Sequence, residues 1–199
     1  MQFEKIFPKV IGIIKETDDS LFEKELHYLT ELNYIDYGNN MGISENTYIL
    51  NDPKLSRCKE YIIKNLEDYK NEMGWDCKFF ITQSWVIVDN KGVSTYQHTH
   101  PNSFLSGVLY LQNLDSVPLE FHPSDYPTIQ PTIKYYNINN SLKWDVSLKN
   151  GLVIFPSNLR HSAPPNTSDI PKVAISFNVF INSKIGDEYQ LKGLDLSKL

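Results

Sequence analysis

Apolar positions recur every three to four residues in two stretches of the first third of the chain, and in alternation or short runs after that. Phe22, Leu26, Leu29 and Leu32 have helical spacing and predict a helix over 20–33, with Ser20 and Glu23 spaced as a capping box. Asp52 precedes Pro53, an N-cap donor followed by a proline at the first helical position. Leu55, Cys58, Ile62, Leu66, Tyr69 and Met73 follow at the same spacing and predict an amphipathic helix ending near Gly74. Residues 3–15 read as a strand, and the stretch 36–49, rich in Gly and Asn, reads as a loop or hairpin. From Phe79 on, short β-branched and aromatic runs alternate with turn residues: 79–89, 93–100, 104–112, 118–122, 132–138, 143–148, 151–156 and 172–181. Successive strands with no helix between them predict a sandwich, jelly roll or barrel, and helices gathered at one end of the chain can cover one face of it.

Composition narrows this picture without changing it. At 199 residues the chain buries about 70% of its unfolded surface, enough for a core without disulfide staples. No repeat or linker interrupts it, so the expectation is one domain over 1–199: helical support over 1–75, a jelly-roll core over 76–182 and a tail over 183–199. Hydrophobic residues are 41% and charged residues 22%, which excludes a disordered or fibrous chain. The net charge of −5 speaks against a nucleic-acid partner. Cys58 and Cys77 form no CxxC pair and are expected to be reduced, Cys58 on the buried stripe of its helix. Glu4, Lys5 and Lys9 interrupt the apolar residues of the N-terminus, and no run reaches the length of a membrane span. The expectation is a cytoplasmic protein with no membrane partner.

The candidate chemistry lies in the histidines. His98 and His100 form H-T-H at the end of a predicted strand, and His161 follows 61 residues after His100, just beyond GLVIF. Residues i and i+2 of a strand share a face, so two imidazoles there can converge on one metal, and a third from a neighbouring strand completes a facial set. An isolated H-x-H is more often a satisfied polar pair; the β pattern between this pair and His161 is what favours a metal site. In KVAISFNVF, Lys172, Ala174, Ser176 and Asn178 share one face, while Val173, Ile175, Phe177 and Val179 form the other, which must be core. A lysine on the inner face of a barrel needs an anion. Trp85 reads as core, and His122 as a structural or exposed residue beside a strand end.

The segments QHTHPNSFLSGVLYLQ and LVIFPSNLRHSAPPNTSDIPKVAISFN together resemble the Fe(II)- and 2-oxoglutarate-dependent oxygenase superfamily, in particular its prolyl-hydroxylase-like group common in bacteria and marine phages. The resemblance spans about residues 75–182 and implies a mainly β fold with N-terminal helices, a double-stranded β-helix of the jelly-roll or cupin kind. It implies Fe(II) as cofactor, 2-oxoglutarate as co-substrate and O2 as reactant. It also implies hydroxylation of a small-molecule or peptide substrate, with release of succinate and CO2. Carried over residue by residue, His98 and His161 match the family's two metal histidines. Lys172 matches the basic residue that binds the distal carboxylate of 2-oxoglutarate, with Ser176, Tyr110 and Ser106 as further co-substrate contacts; Asn102, in HPNS, either caps a turn or reaches the co-substrate.

One position departs from the family pattern. Where relatives carry Asp or Glu, this chain has His100, and no His-x-Asp or His-x-Glu occurs anywhere in it. The expectation is a three-histidine site of His98, His100 and His161. The alternatives are His100 beside the metal with water in its place, a carboxylate such as Asp125 or Asp89 from elsewhere, and a site without iron. Two other functions stay open: a three-histidine dioxygenase that does not use 2-oxoglutarate, and a non-catalytic β-sandwich binding or virion-associated module. A homodimer is compatible with the sequence.

Overall fold

A computed structural model describes residues 8–16, 18–38, 40–124, 131–137 and 140–196. In chain order its elements are β1 (Gly12–Lys15), α1 (Glu23–Thr30), β2 (Tyr34–Asp36), β3 (Met41–Ser44), α2 (Ser56–Glu72), β4 (Phe79–Asp89), β5 (Thr95–His98), β6 (Leu105–Gln112) and β7 (Leu119–Phe121). They continue with β8 (Trp144–Val146), β9 (Gly151–Pro156), β10 (His161–Ala163), β11 (Lys172–Ile181), β12 (Lys184–Ile185) and β13 (Leu194–Asp195).

The long strands assemble into one sheet in the order β1-β9-β6-β11-β4-β3-β2, and the short ones into a second, β5-β10-β7-β8. The period-two alternation of β11 explains how the layers stack. Val173, Ile175, Phe177 and Val179 are buried with Leu105 and Leu109 of β6 and Leu152 and Ile154 of β9. The same core takes in Leu55, Cys58, Ile62, Leu66 and Tyr69, the apolar stripe on and leading into α2. The opposite face of the sheet carries Tyr110, Val153, Phe155 and Ala174, which pack against Leu119, Phe121 and Val146 of the second sheet. Helices therefore cover one face of the large sheet and the small sheet covers the other, and the residues that point between the two sheets are the even-numbered ones of β11. Gly107 of β6 lies opposite Phe177, and a Cβ there would come within 2.3 Å of the Phe177 ring and 2.8 Å of the Val153 carbonyl oxygen. Only glycine lets this core aromatic lie across the strand.

Several expectations hold and several need correction. Asp52 accepts a hydrogen bond from the Lys54 amide and caps a 3-10 turn, Pro53–Leu55, that leads into α2; the N-cap of α2 itself is Leu55, without a side-chain bond, and Gly74 adopts φ +67° just past the helix end. Both cysteines are free, with Cys58 fully buried. The hairpin expected within 36–49 is β2 paired with β3. The first helix is shorter than 20–33, and the capping box does not form. Both the amide and the hydroxyl of Ser20 bond to Asp18 Oδ1 instead, which leaves Phe22 as an N-cap without a side-chain bond. The strand expected at 132–138 is absent among the described residues 131–137, and the tail contains a small hairpin, β12 with β13. Residues 3–7 of the expected first strand and Asp125 lie outside the described residues. Among the described residues, no helix is long and apolar enough to cross a membrane.

Candidate metal centre

Strand pairing brings the three histidines together. His161 of β10 is the direct cross-strand partner of His98 on β5, and the His100 amide bonds the Ser157 carbonyl oxygen in the loop leading to β10. The ring centroids form a triangle with sides of 4.3 Å (His98–His161), 5.0 Å (His100–His161) and 5.1 Å (His98–His100). Their ligand nitrogens all lie within 4.8 Å of one another, and the group contains no carboxylate.

Each ring is oriented by an oxygen acceptor on its Nδ1. That acceptor is the Tyr96 carbonyl for His98 at 2.8 Å, the Leu159 carbonyl for His161 at 2.9 Å and Asn178 Oδ1 for His100 at 2.6 Å. A carbonyl cannot donate, so Nδ1 carries a proton, and Nε2 is the nitrogen each ring can turn to a metal. Asn178 Oδ1 also accepts from the Ser106 hydroxyl at 2.9 Å. Burial is the main cause that pushes His100 below its ordinary value and His161 down to about 3, although the hydrogen bonds to Asn178 and Leu159 act in the other direction. These two imidazoles are therefore neutral at physiological pH, the state a metal requires. Three neutral nitrogen donors with fixed tautomers suit a borderline divalent ion such as Fe(II), Ni(II), Co(II) or Zn(II).

The histidines open onto a cavity of about 410 Å³ between the two sheets. Lys172, Ala174 and Ser176 of β11, Val108 and Tyr110 of β6, and Trp85, Ile87 and Asp89 of β4 form its wall. This wall follows from the register, in which Lys172 pairs with Asp89, Ala174 with Ile87 and Tyr110, and Ser176 with Trp85 and Val108. Tyr37, Met41, Ile43 and Tyr96 form a largely apolar mouth.

Of the residues expected at the co-substrate, Lys172, Ser176 and Tyr110 line this cavity. Ser106 does not; it is fully buried behind the wall, where it supports Asn178 and lies 2.7 Å from Ser157 Oγ. Asn102 is an exposed turn residue at φ +58° and also lies off the cavity lining. His122 is half-buried with Nε2 2.8 Å from Ser162 Oγ, again off the lining. Trp85 is not core. Its ring stacks on His100 at 5.9 Å between centroids, and it lines the cavity.

The largest correction concerns the anion of Lys172. The buried ammonium already has one, because Asp89 Oδ2 lies 2.5 Å from Nζ, with side-chain exposures of 1% for Asp89 and 6% for Lys172. Asp89 thus serves Lys172 and stands apart from the histidine group. The contact is an ion pair by distance without hydrogen-bond alignment, and neither Asp89 oxygen has a hydrogen-bond partner among the described residues. The sequence pattern pointed to Asn178 as facing inward but not to its bond with His100. Nothing in the sequence pointed to the Asp89–Lys172 pair or to the carbonyls of Tyr96 and Leu159.

Comparison with known proteins agrees with this geometry. The model of a family described as "putative 2OG-Fe(II) oxygenase" matches residues 83–178, just under half of the chain and the part that carries the site. No curated protein matches the sequence. Among solved structures, HygX from Streptomyces hygroscopicus with nickel and 2-oxoglutarate bound superposes with a TM-score of 0.62 at 10% identity, covering 86% of this chain and 82% of that one. The non-haem α-ketoglutarate-dependent epimerase SnoN of nogalamycin biosynthesis gives 0.67 at 13% identity, covering 88% and 80%. A Pseudomonas putida prolyl-4-hydroxylase gives 0.55 at 15% identity, covering 85% and 92%. These neighbours share the double-stranded β-helix, and together with the family match they show that the chain resembles the Fe(II)- and 2-oxoglutarate-dependent oxygenase superfamily.

Proposed function

We propose that this protein is an Fe(II)- and 2-oxoglutarate-dependent oxygenase that hydroxylates a small-molecule or peptide substrate. The observation that carries the reading is the set of three histidines, each with its Nδ1 held by an oxygen acceptor, opening onto a cavity that also contains Lys172. His98, His100 and His161 hold the metal on one side, which leaves the cavity side for ligands. Lys172 receives the distal carboxylate of 2-oxoglutarate, and the Tyr110 and Ser176 side chains line the same wall. When bound, Fe(II) and 2-oxoglutarate would supply the O2 activation that hydroxylation needs, with succinate and CO2 as co-products. The aromatic and aliphatic mouth desolvates the substrate, and Trp85 fixes the His100 ring by stacking. With three neutral donors the metal keeps a formal charge of +2, which attracts a dianionic co-substrate more strongly than a set containing a carboxylate.

A second reading draws support from the Asp89–Lys172 pair. If Lys172 is already neutralised, the site suits a three-histidine dioxygenase that takes O2 without 2-oxoglutarate. Succinate formation and O2 consumption, measured with Fe(II) and ascorbate in the presence and absence of 2-oxoglutarate, separate the two. Succinate formed in step with O2 uptake supports the first reading. Substrate oxidation that is indifferent to 2-oxoglutarate supports the second.

A further inference from the structure

We propose that Asp89 and the distal carboxylate of 2-oxoglutarate share one proton at the Lys172 ammonium, so that the co-substrate binds with proton uptake and binds more weakly as pH rises. The inference rests on the co-substrate reading above.

Lys172 and Asp89 are buried, directly opposed on β11 and β4, and face the same cavity as the histidines. Before a ligand arrives, this end of the cavity is neutral. A second carboxylate brought to the same ammonium makes it net negative in a place with little water, and two carboxylates on one buried cation are relieved by a proton held between them. Asp89 is well suited to this because neither of its oxygens has a hydrogen bond among the described residues, so a protonated partner gives one of them its donor.

The metal's charge acts at the other end of the co-substrate, so the distal carboxylate is neutralised at Lys172 and Asp89. Lys172 from β11 is paired with Asp89, Tyr110 from β6 feels its charge, and the three histidines with Tyr37 and Tyr96 line the same cavity. β3 presents Met41 opposite it, and the loop after β10 presents Asn166, whose amide bonds the Asp89 backbone oxygen at 2.9 Å. Tyr110 is pushed above its ordinary value by burial first and then by the Asp89 charge, so it stays protonated.

Calorimetric titration of 2-oxoglutarate into the Ni(II)-loaded protein, repeated between about pH 6.5 and 8.5 in buffers of different ionisation heat, counts the proton directly. The expected result is close to one proton taken up per 2-oxoglutarate, with affinity falling about tenfold per pH unit across that window. In Asp89→Asn the uptake disappears, the affinity becomes flat with pH, and at the alkaline end it exceeds the wild-type value by about ten- to a hundredfold. Binding by the wild type without proton uptake overturns the inference and leaves the oxygenase reading standing, as does uptake that persists in Asp89→Asn. No binding of 2-oxoglutarate at any pH to protein shown by elemental analysis to carry nickel overturns both. If Asp89→Asn does not fold, the buffer comparison on the wild type decides alone.

Discussion

Breaking the Asp89–Lys172 pair from one side should cost far more than removing it whole. Both groups are almost completely buried and lie 2.5 Å apart, and neither carboxylate oxygen of Asp89 has a hydrogen-bond partner among the described residues. Lys172→Met keeps most of the aliphatic stem but leaves a carboxylate buried without a counter-charge, a loss of about 3–5 kcal/mol. For a chain of 199 residues that corresponds to a melting temperature lower by roughly 6–20 °C. Asp89→Asn strands the ammonium and should also destabilise, by less, because the amide oxygen can still accept from Nζ. The double variant Lys172→Met/Asp89→Asn removes both charges and should recover most of the loss, giving a coupling of about 2–3 kcal/mol in a double-mutant cycle. Urea unfolding of the metal-free protein, followed by circular dichroism at neutral pH and fixed ionic strength, measures all four corners. Additive effects, with the double variant as unstable as the sum of the singles, would refute the pairing. A single substitution of Lys172 is for the same reason a poor test of co-substrate binding, since lost affinity and lost stability arrive together.

Other outcomes follow from the same geometry. His98→Ala or His161→Ala should abolish metal binding while the fold persists, read by elemental analysis with circular dichroism as control; full occupancy in both would sink the site. Asn178→Ala removes the acceptor that orients His100 and should lower metal affinity about 10- to 100-fold, measured by competition with a chelator of known affinity. His161 sits well below its unfolded value, so the unfolded chain takes up its proton first as pH falls. The metal-free protein should lose about 1.4 kcal/mol per pH unit from this residue between about pH 6.5 and 3, and a chemical-denaturation series flat across that range would contradict it. Gly107→Ala should destabilise by about 1–3 kcal/mol because its methyl meets the Phe177 ring and the Val153 carbonyl, whereas Gly107→Ala paired with Phe177→Leu should be milder than the sum, judged by thermal unfolding.

What the sequence determined is what depends on local period and spacing. The stripe Leu55, Cys58, Ile62, Leu66 and Tyr69 marks α2 because a helix repeats every 3.6 residues. The alternation in β11 separates the cavity face from the core face because a strand repeats every two. The H-x-H pair with a distal histidine after a β run indicated the metal site for the same kind of reason. The three-residue β10 escaped notice because so short a strand has no period of its own, although it carries His161. The capping box at Ser20 failed because a nearer acceptor, Asp18, took the serine first. The tertiary structure decided everything that rests on register between distant strands. Lys172 and Asp89 are 83 residues apart in the chain, and only the antiparallel pairing of β11 with β4 makes them neighbours. The same pairing moves Trp85 out of the core and onto His100, and the pairing of β11 with β6 sets Ser106 behind Asn178 and Tyr110 at the cavity wall. A shift of one residue in either ladder would turn those side chains to the other face of the sheet. Composition and periodicity are blind to that choice, because it is made by the packing of the two sheets and the helices as a whole.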